Sequence, residues 1–301
     1  MLRRKILRKI YFTTLIVFIL FVISSFTINK NISNIKVEYQ THLSNIYLLD
    51  DNNYLLEVSI VVKDNVLDSI PIVINNLKAE NKHYSGLRGI IPNKTKLQDI
   101  KLDNGLLTID FNKELFNINE ELEEKVIESI VYSLLSFKEI KGVKITIDGK
   151  ELKYLPKSKI KIDDILTKKF GINKEYHLTS IKDISKVILY YYEEQSSNKY
   201  YVPITKYLNS NDDKIKVIID NLKNSYLSET NLMTYLNDKI KINKYEQNKD
   251  TVTIYFQDIL SINELPNEEV IYVLSNSIFD STDIQKIIFM NNDQIIKIKT
   301  K

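Results

Sequence analysis

The spacing of apolar positions changes several times along this chain, and each spacing predicts a different element. Between Tyr11 and Ile28 the apolar residues run on with only Ser and Thr between them. About 18 such residues approach the thickness of a bilayer, so this run predicts a membrane-spanning helix. Further along, short runs that alternate apolar and polar residues favour strands, and stretches with apolar residues three and four positions apart favour helices. The pattern therefore predicts an apolar N-terminal segment followed by mixed strands and helices.

The first mixed stretch begins near Ser44. Two alternating runs, Ile46–Leu49 and Tyr54–Val62, predict a pair of strands joined by a short turn. A helix is expected next, opened by Asp68 or Ser69 with a proline, Pro71, in its first turn.

A hairpin, a helix and a strand are predicted downstream. Lys96–Leu102 and Leu106–Phe111 alternate on either side of Asn104-Gly105, and Asn-Gly is a strong signal for a two-residue hairpin turn. Asn119 precedes three acidic residues, which favours a helix start because carboxylates stabilise the N-terminal dipole. Val143–Ile147 then predicts a further strand, which ends at an Asp-Gly turn.

The second half of the chain repeats the first. Ile70–Lys78 resembles Ile215–Lys223, and Thr108–Phe111 resembles Thr253–Phe256, in both cases 145 positions later. Helix Glu268–Phe279, with Asn267 as its cap, repeats the acidic helix start. A nearly constant offset over several elements indicates an internal duplication. Each half reads strand, strand, helix, strand, strand, helix, strand, which predicts an α+β fold of two tandem small α/β sandwich domains with helices on one face of a small sheet.

The same patterns predict the domain organisation. The basic residues among the first nine predict a cytoplasmic N-terminus and an extracytoplasmic bulk by the positive-inside rule. A cleaved signal peptide is the alternative, and the uncleaved anchor is favoured because no small-residue cleavage pattern precedes Asn29. The predicted segments are a basic segment 1–10, an anchor 11–28, a tether 29–43, a first domain 44–152, a connector 153–180 and a second, divergent domain 181–301.

Charge and cysteine content narrow the function. The net charge of the 301 residues is +3, and part of it lies in the first nine residues. The remainder is nearly balanced, which argues against a nucleic-acid-binding protein. The chain has no cysteine, which excludes disulfides, thiolate metal sites, thiol catalysis and a lipid-modified cysteine.

Catalytic and metal-binding motifs are missing from the sequence. It contains no Gly-rich phosphate loop, no His-Glu-x-x-His and no nucleophile elbow. Its three histidines, His42, His83 and His177, are far apart in sequence, which argues against a histidine metal site. Glycan cleavage would need two carboxylates across a cleft, but the adjacent acidic pairs are interpreted as turn and helix-cap residues. These pairs are Asp50/Asp51, Asp163/Asp164, Glu193/Glu194 and Asp212/Asp213. The sequence therefore predicts no enzyme, no cofactor and no metal.

Tyrosines cluster in the predicted first hairpin of the second half, and they are the candidate contact residues for a partner protein or a sugar. The alternative is ordinary strand propensity in a tyrosine-rich chain. The candidates are Tyr190, Tyr191, Tyr192, Tyr200 and Tyr201.

Two blocks, residues 75–115 and 130–152, resemble the GerMN domain of the GerM family of sporulation and spore-germination proteins. The residues that carry the resemblance, all interpreted as structural, are Gly86, Leu87, Ile91, Pro92, Thr95, Asp110, Phe111, Leu115, Gly142, Asp148 and Gly149. The second copy departs from the pattern, because Asn231-Leu232 and Tyr235-Leu236 replace its Gly-Leu and Ile-Pro pairs. Any role tied to those pairs is therefore not expected of it.

The resemblance implies a fold similar to the ring-building motif of secretion and sporulation assemblies, and a protein of a spore-forming bacterium that faces the space between mother cell and forespore. It implies a structural or interaction module of a spore-envelope assembly, with other extracytoplasmic sporulation proteins or a second copy as partners. Peptidoglycan binding or remodelling, in sporulation or in germination, is the alternative. A small-ligand or lipid carrier is the third hypothesis, and it requires a large apolar pocket.

Overall fold

The computed structural model describes residues 14, 41–81, 86–195, 198–223, 232–234, 236, 240–257, 268–291 and 293–301. Residues Thr41–Lys301 form one compact unit. The predicted anchor, apart from Thr14, and most of the predicted tether lie outside the described residues, as do His83 and the predicted helix cap Asn267. Within the described part of the chain, no helix is long and apolar enough to cross a membrane.

Both halves follow the predicted order of elements, and each ends with one further strand. The first half comprises β1 Thr41–Leu49, β2 Leu55–Lys63, α1 Val66–Asn76, β3 Leu97–Asp103, β4 Leu106–Phe111, a short 3-10 helix Lys113–Phe116, α2 Glu120–Leu134, β5 Gly142–Ile147 and β6 Lys150–Glu151. The connector holds a 3-10 turn Lys168–Phe170 and strand β7 Glu175–His177. The second half comprises β8 Ile184–Gln195, β9 Asn198–Asn209, α3 Lys214–Lys223, β10 Ile242–Asn248, β11 Thr251–Phe256, α4 Glu268–Ser281, β12 Lys286–Asn291 and β13 Gln294–Thr300.

Two predicted boundaries are wrong. Helix α1 begins at Val66 and not at Asp68 or Ser69, because the Asn65 side chain accepts a hydrogen bond from the Asp68 amide at 3.2 Å and caps the helix there. Pro71 consequently lies in the second turn of this helix. Strand β1 begins at Thr41, so residues 41–43 belong to the strand and not to the tether.

A four-stranded sheet of the same order occurs in each half. The orders are β3-β4-β5-β6 and β10-β11-β12-β13, and in both the two central strands are parallel. Even the irregularity in the first strand recurs, at Leu97/Asp99 and at Ile242/Lys244. This correspondence confirms the internal duplication.

The prediction of one small sheet per half is wrong, because the first hairpins of the two halves join in a third sheet. Strand β9 pairs with β8, with β7 and, through Tyr201 opposite Glu57, with β2 of the first half. An isolated hairpin is marginally stable in water, so this pairing stabilises both hairpins. One hydrophobic cluster runs from Ile46 to Phe289 through both halves.

Serine side chains of two helices form hydrogen bonds with backbone groups of the outer strands of this shared sheet. Ser133 on α2 accepts a hydrogen bond from the Tyr47 amide at 2.9 Å, and Ser129 donates to the Tyr47 carbonyl at 2.7 Å. On α4, the equivalent pair 148 positions later, Ser277 and Ser281, accepts from the amides of Tyr190 and Ile188 at 2.9 and 2.7 Å. Both halves thus satisfy buried strand groups with the same helical serine pair.

Candidate functional site

The junction of the two halves holds most of the buried polar groups that could carry a function, and Asn173 of the connector lies at its centre. Its amide nitrogen donates to the carbonyls of Leu55 and Pro203, each at 2.9 Å, and its amide oxygen accepts from the Leu55 amide at 2.9 Å. Lys125 donates to the same oxygen at 2.6 Å. Asn173 therefore bridges β2 and β9 where the two strands diverge, and it does so from a backbone conformation of φ 48° that asparagine tolerates well.

A second junction contact centres on Glu57 of the first half. Tyr272 of α4 donates its hydroxyl to this carboxylate at 2.5 Å, and Asn45 and Tyr47 donate to it at 2.6 and 3.2 Å. Loss of water around the carboxyl group raises the pKa of Glu57, and the two tyrosine hydroxyls oppose that rise. The ring of Tyr201 stacks on that of Tyr272 at 4.0 Å between centroids. Together these contacts fix helix α4 against the first hairpin.

Asp280 organises a third contact. Lys168 of the connector donates to both of its carboxylate oxygens at 2.8 Å, and Tyr190 donates its hydroxyl at 2.7 Å. The Asp280 side chain is almost fully buried. The Lys168 side chain is 37% exposed, so the ion pair is only partly buried, and removing Lys168 would leave the buried Asp280 carboxylate without its counter-charge.

Two buried carboxyl groups from different halves face each other at a fourth point. Asp50 follows β1 and Glu193 lies in β8, and their side chains are 0% and 2% exposed. Burial and the neighbouring Glu193 raise the pKa of Asp50 to about 6, although its Oδ1 accepts the Tyr54 amide at 2.6 Å. Asp50 therefore binds its proton more tightly here than an exposed carboxyl group does.

The predicted contact tyrosines belong to this junction, and the prediction is wrong for two of them. Tyr190 and Tyr191, on opposite faces of β8, are 2% and 0% exposed, so neither is available to a partner. Tyr192, Tyr200 and Tyr201 are partly exposed. Tyr200 and Tyr201 line a shallow cleft of about 420 Å³ next to Glu57.

A wide lysine-lined cleft opens beside the junction, with a volume of about 1110 Å³. Burial together with the charges of Lys174 and Lys214 lowers the pKa of Lys186 to about 8, so the fold concentrates positive charge here. Asp213, Asp280 and Asp283 offset part of that charge. The lysines of this cleft favour an anionic group. Its lysines are Lys141, Lys168, Lys169, Lys186, Lys214, Lys299 and Lys301.

The family-motif residues hold local structure together. Asp110 accepts from the Thr146 hydroxyl at 2.6 Å and from the Gly149 amide at 3.0 Å, so it caps the turn of Asp148 and Gly149. A Cβ at Gly142 would lie 2.6 Å from the Ile165 side chain of the connector, so a larger residue there would displace Ile165. Leu87, Ile91, Phe111 and Leu115 are core residues, and Thr95 is buried beside them. Gly86 and Pro92 lie in the loop before β3, where Gly86 has φ 92°.

The histidines and acidic pairs singled out from the sequence do not come together in one site. His42 pairs with Asp64 at 3.2 Å and His177 with Glu175 at 3.1 Å, on different strands. Asp213 caps α3, since its Oδ1 accepts from the amides of Ile215 and Lys216 at 3.0 and 3.1 Å. Asp163 and Asp164 are exposed. Among the residues that the structure describes, no three His, Cys, Asp or Glu side chains are grouped to hold a metal. The sequence analysis missed Asn173 and Glu57, whose roles depend on contacts more than 100 positions away and leave no local signal.

Comparison with known proteins agrees with this architecture. Residues 45–153 match the family model described as "Germane: Sporulation and spore germination". The chain is 29% identical over 225 residues to the "Spore germination protein GerM" of Bacillus subtilis (strain 168), an alignment that covers 72% of this chain and 61% of that protein. The chain thus spans about three fifths of the length of this relative.

A solved structure shares the fold. The "Tandem GerMN domains of the sporulation protein GerM from Bacillus subtilis" superpose with a TM-score of 0.72 at 24% identity, covering 85% of this chain and 92% of that one. The chain is also 24% identical over 286 residues to the phenylalanine--tRNA ligase beta subunit of Mycoplasma mycoides subsp. mycoides, but that alignment covers only 32% of the enzyme and assigns no activity. The tandem GerMN match confirms the α+β fold in two copies.

Proposed function

We propose, from the premise that the chain belongs to the Germane family of sporulation and spore germination proteins, that it acts as a structural and interaction module in a spore-envelope assembly between mother cell and forespore. In this proposal the apolar segment 11–28 anchors the chain in the cytoplasmic membrane. The unit from Thr41 to Lys301 then faces the space outside that membrane and binds other extracytoplasmic sporulation proteins.

The observation that supports this role is the rigid connection between the copies. A shared sheet and the contacts of Asn173, Glu57 and Asp280 fix the two four-stranded sheets relative to each other. Several buried hydrogen bonds to charged groups connect the halves, each worth about 1.5–3 kcal/mol. Such a body presents two surfaces at a set spacing, which is what a scaffold within an assembly needs and what independent flexible domains do not offer.

Gene deletion in the host tests the proposal. Heat-resistant spores are counted, and membrane-stained cells are imaged through engulfment. A block before or just after engulfment supports an assembly role in spore formation. Normal spore numbers with slow germination would oppose it. In parallel, photo-crosslinkers placed at exposed positions of the full-length chain should capture extracytoplasmic sporulation proteins, and the absence of any such adduct in sporulating cells would contradict the proposal.

The second candidate function is peptidoglycan binding, which the lysine-lined cleft favours. Peptide stems of cell walls carry carboxylates, and a cleft with seven lysines attracts such anionic groups. The full-length protein is incubated with purified peptidoglycan and sedimented. Retention that falls in Lys186→Gln with Lys299→Gln, and not in a Lys94→Gln control, supports this candidate. No retention by the unmodified protein rejects it.

A further inference from the structure

The outer faces of the two four-stranded sheets differ at three corresponding strand positions near the β6 and β13 edges. In the first half, Asp110, Thr146 and Glu151 lie side by side across β4, β5 and β6. Thr146 donates to Asp110 at 2.6 Å, and Lys144 pairs with Glu151. This face is therefore polar and satisfied by its own contacts.

In the second half the same three positions are Tyr255, Met290 and Ile295, across β11, β12 and β13. Ile288 and Ile298 adjoin them in the next row. Ile295 and Ile298 are 58% and 45% exposed. On the opposite face of β12, Ile287 and Phe289 are fully buried in the core. The outer face of this sheet thus carries an apolar strip where the first half carries ion pairs.

The edge strands of the two sheets, β6 and β13, also differ in length and in apolar content. The first sheet ends in β6, which has only two residues, both charged, and Leu166 of the connector pairs with β5 beside it at 2.8 Å. The second sheet ends in the seven-residue β13, which among the described residues pairs only with β12. Natural sheets usually shorten, charge or cover their edges. Strand β13 carries lysines, but it is long and also exposes Ile295 and Ile298, which indicates a surface where another strand can pair.

Backbone geometry shows which groups of β13 remain for a partner. The Lys301 amide donates to Gln285 at 3.0 Å, so Lys301 and Lys299 direct their backbone groups towards β12. Since the direction alternates along an antiparallel strand, the backbone groups of Ile298 and Thr300 point to the open side. A strand added there would continue the sheet.

The lysines of β13 determine which kind of partner strand can pair with it. Lys297, Lys299 and Lys301 alternate with Ile298 and Thr300, so one side of β13 is basic and the other carries the exposed Ile298. Lys297 already pairs with Glu268 of α4 at 2.7 Å, so the charge offered to a partner strand is that of Lys299. A second copy of β13 would place lysines opposite lysines, which is destabilising. A strand with carboxylates opposite the lysines and apolar residues opposite the isoleucines pairs favourably on both sides.

We propose that the free edge of β13 binds an extended segment of another protein in which apolar residues alternate with Asp or Glu. The added strand forms backbone hydrogen bonds at Ile298 and Thr300, packs its apolar side chains on Ile295 and Ile298, and directs a carboxylate to Lys299. Strand addition of this kind takes affinity from the main chain and specificity from alternate side chains. This inference deepens the proposed interaction role and rests on it only for the cellular setting.

Peptide binding by the purified full-length protein tests the surface. A fluorescein-labelled octapeptide of alternating Val and Glu is titrated, and binding is followed by fluorescence polarisation, with an alternating Val and Lys peptide as the comparison. The acidic peptide is expected to bind and the basic one not. Ile295→Ser with Ile298→Ser should weaken the acidic peptide about tenfold or more, and Lys299→Glu should weaken it several-fold, because each removes one side of the pairing. Val61→Ser is the matched control, since Val61 is an equally exposed apolar strand residue of another sheet, and it should have no effect.

Three results would overturn the inference. They are equal binding of both peptides, equal loss in Val61→Ser, and a concentration-dependent dimer by light scattering that Ile295→Ser with Ile298→Ser abolishes, which would make a second copy the occupant. Failure here leaves the spore phenotype of the gene deletion untouched, so failure of the surface and failure of the proposed function are distinguishable.

Discussion

The two halves of this chain share their backbone-level contacts and differ in the side chains that face solvent. Both have a parallel central strand pair, the same irregularity in the first strand and a helical serine pair that satisfies an outer strand. Yet Thr146 and Glu151 in the first half stand where Met290 and Ile295 stand in the second. After a duplication, contacts that satisfy buried backbone groups are costly to lose, whereas solvent-facing positions change freely.

The largest expected effect tests whether the two cores are energetically equivalent. Phe111→Ala and Phe256→Ala remove buried rings at corresponding positions, which are 0% and 3% exposed. Each should lower the free energy of unfolding by about 3–5 kcal/mol, because burial is lost and a cavity remains. Chemical denaturation of the full-length protein measures both. A much smaller loss for Phe256→Ala would show that the second core is loosely packed and that the copies are not equivalent.

The second prediction concerns a substitution that weakens the connection between the halves. Asn173→Ala leaves buried groups of Leu55 and Pro203 without their partner, so the free energy of unfolding should fall by about 2–4 kcal/mol. Unfolding should also separate into two transitions, as the halves lose their fixed relation. Asn276→Ala is the control, because its side chain donates only to the Tyr272 carbonyl within α4. A single unchanged transition in Asn173→Ala would show that the hydrophobic cluster alone joins the halves.

Local elements were predictable because their signals are local. Asn104 and Gly105 both adopt the positive φ that a tight hairpin turn needs, as the Asn-Gly pair predicts. The acidic start of α2 was found at its predicted position for the same kind of reason. The register of the duplication was also visible, because an offset needs only the sequence itself.

The junction was not predictable, since its residues are joined across the chain. Nothing near Glu57 indicates that Tyr272 lies 215 positions away against it. The tyrosines of β8 were misassigned for a related reason: alternation predicts that one face of a strand is covered, but not that both faces are covered, as the burial of Tyr190 and Tyr191 shows. Of the candidate site, therefore, the sequence indicated the region but not the partners.

The third prediction tests the shared serine contacts. Ser133→Ala and Ser281→Ala each leave a strand amide, of Tyr47 or of Ile188, without its acceptor. Each should lower the free energy of unfolding by about 1–2 kcal/mol, the usual penalty for a buried unsatisfied group. Ser136→Ala, which removes only a bond to the Tyr132 carbonyl within the same helical segment, should be nearly neutral. If the free energy of unfolding falls much more for one of the two variants, then only one half still depends on the serine hydrogen bond for stability.

The smallest expected effect concerns Asp50 and Glu193, a carboxyl pair that spans the halves. The pKa of Asp50 is about 6 in the folded chain against 3.8 for an unperturbed carboxyl group, so the folded state binds its proton more tightly than the unfolded state does. The free energy of unfolding should therefore fall as the pH rises from about 4 to about 6, and this loss is about 1 kcal/mol once solvent screening is allowed for. Asp50→Asn should flatten the profile in that window, and Glu193→Gln should flatten it in part, because it removes the neighbouring charge. Asp51→Asn, an exposed neighbour, should leave the slope intact. If the free energy of unfolding of Asp50→Asn keeps the same pH dependence, then the contact between the halves at Asp50 is not electrostatic. The copies would then differ in their solvent-facing sheets and not at this contact.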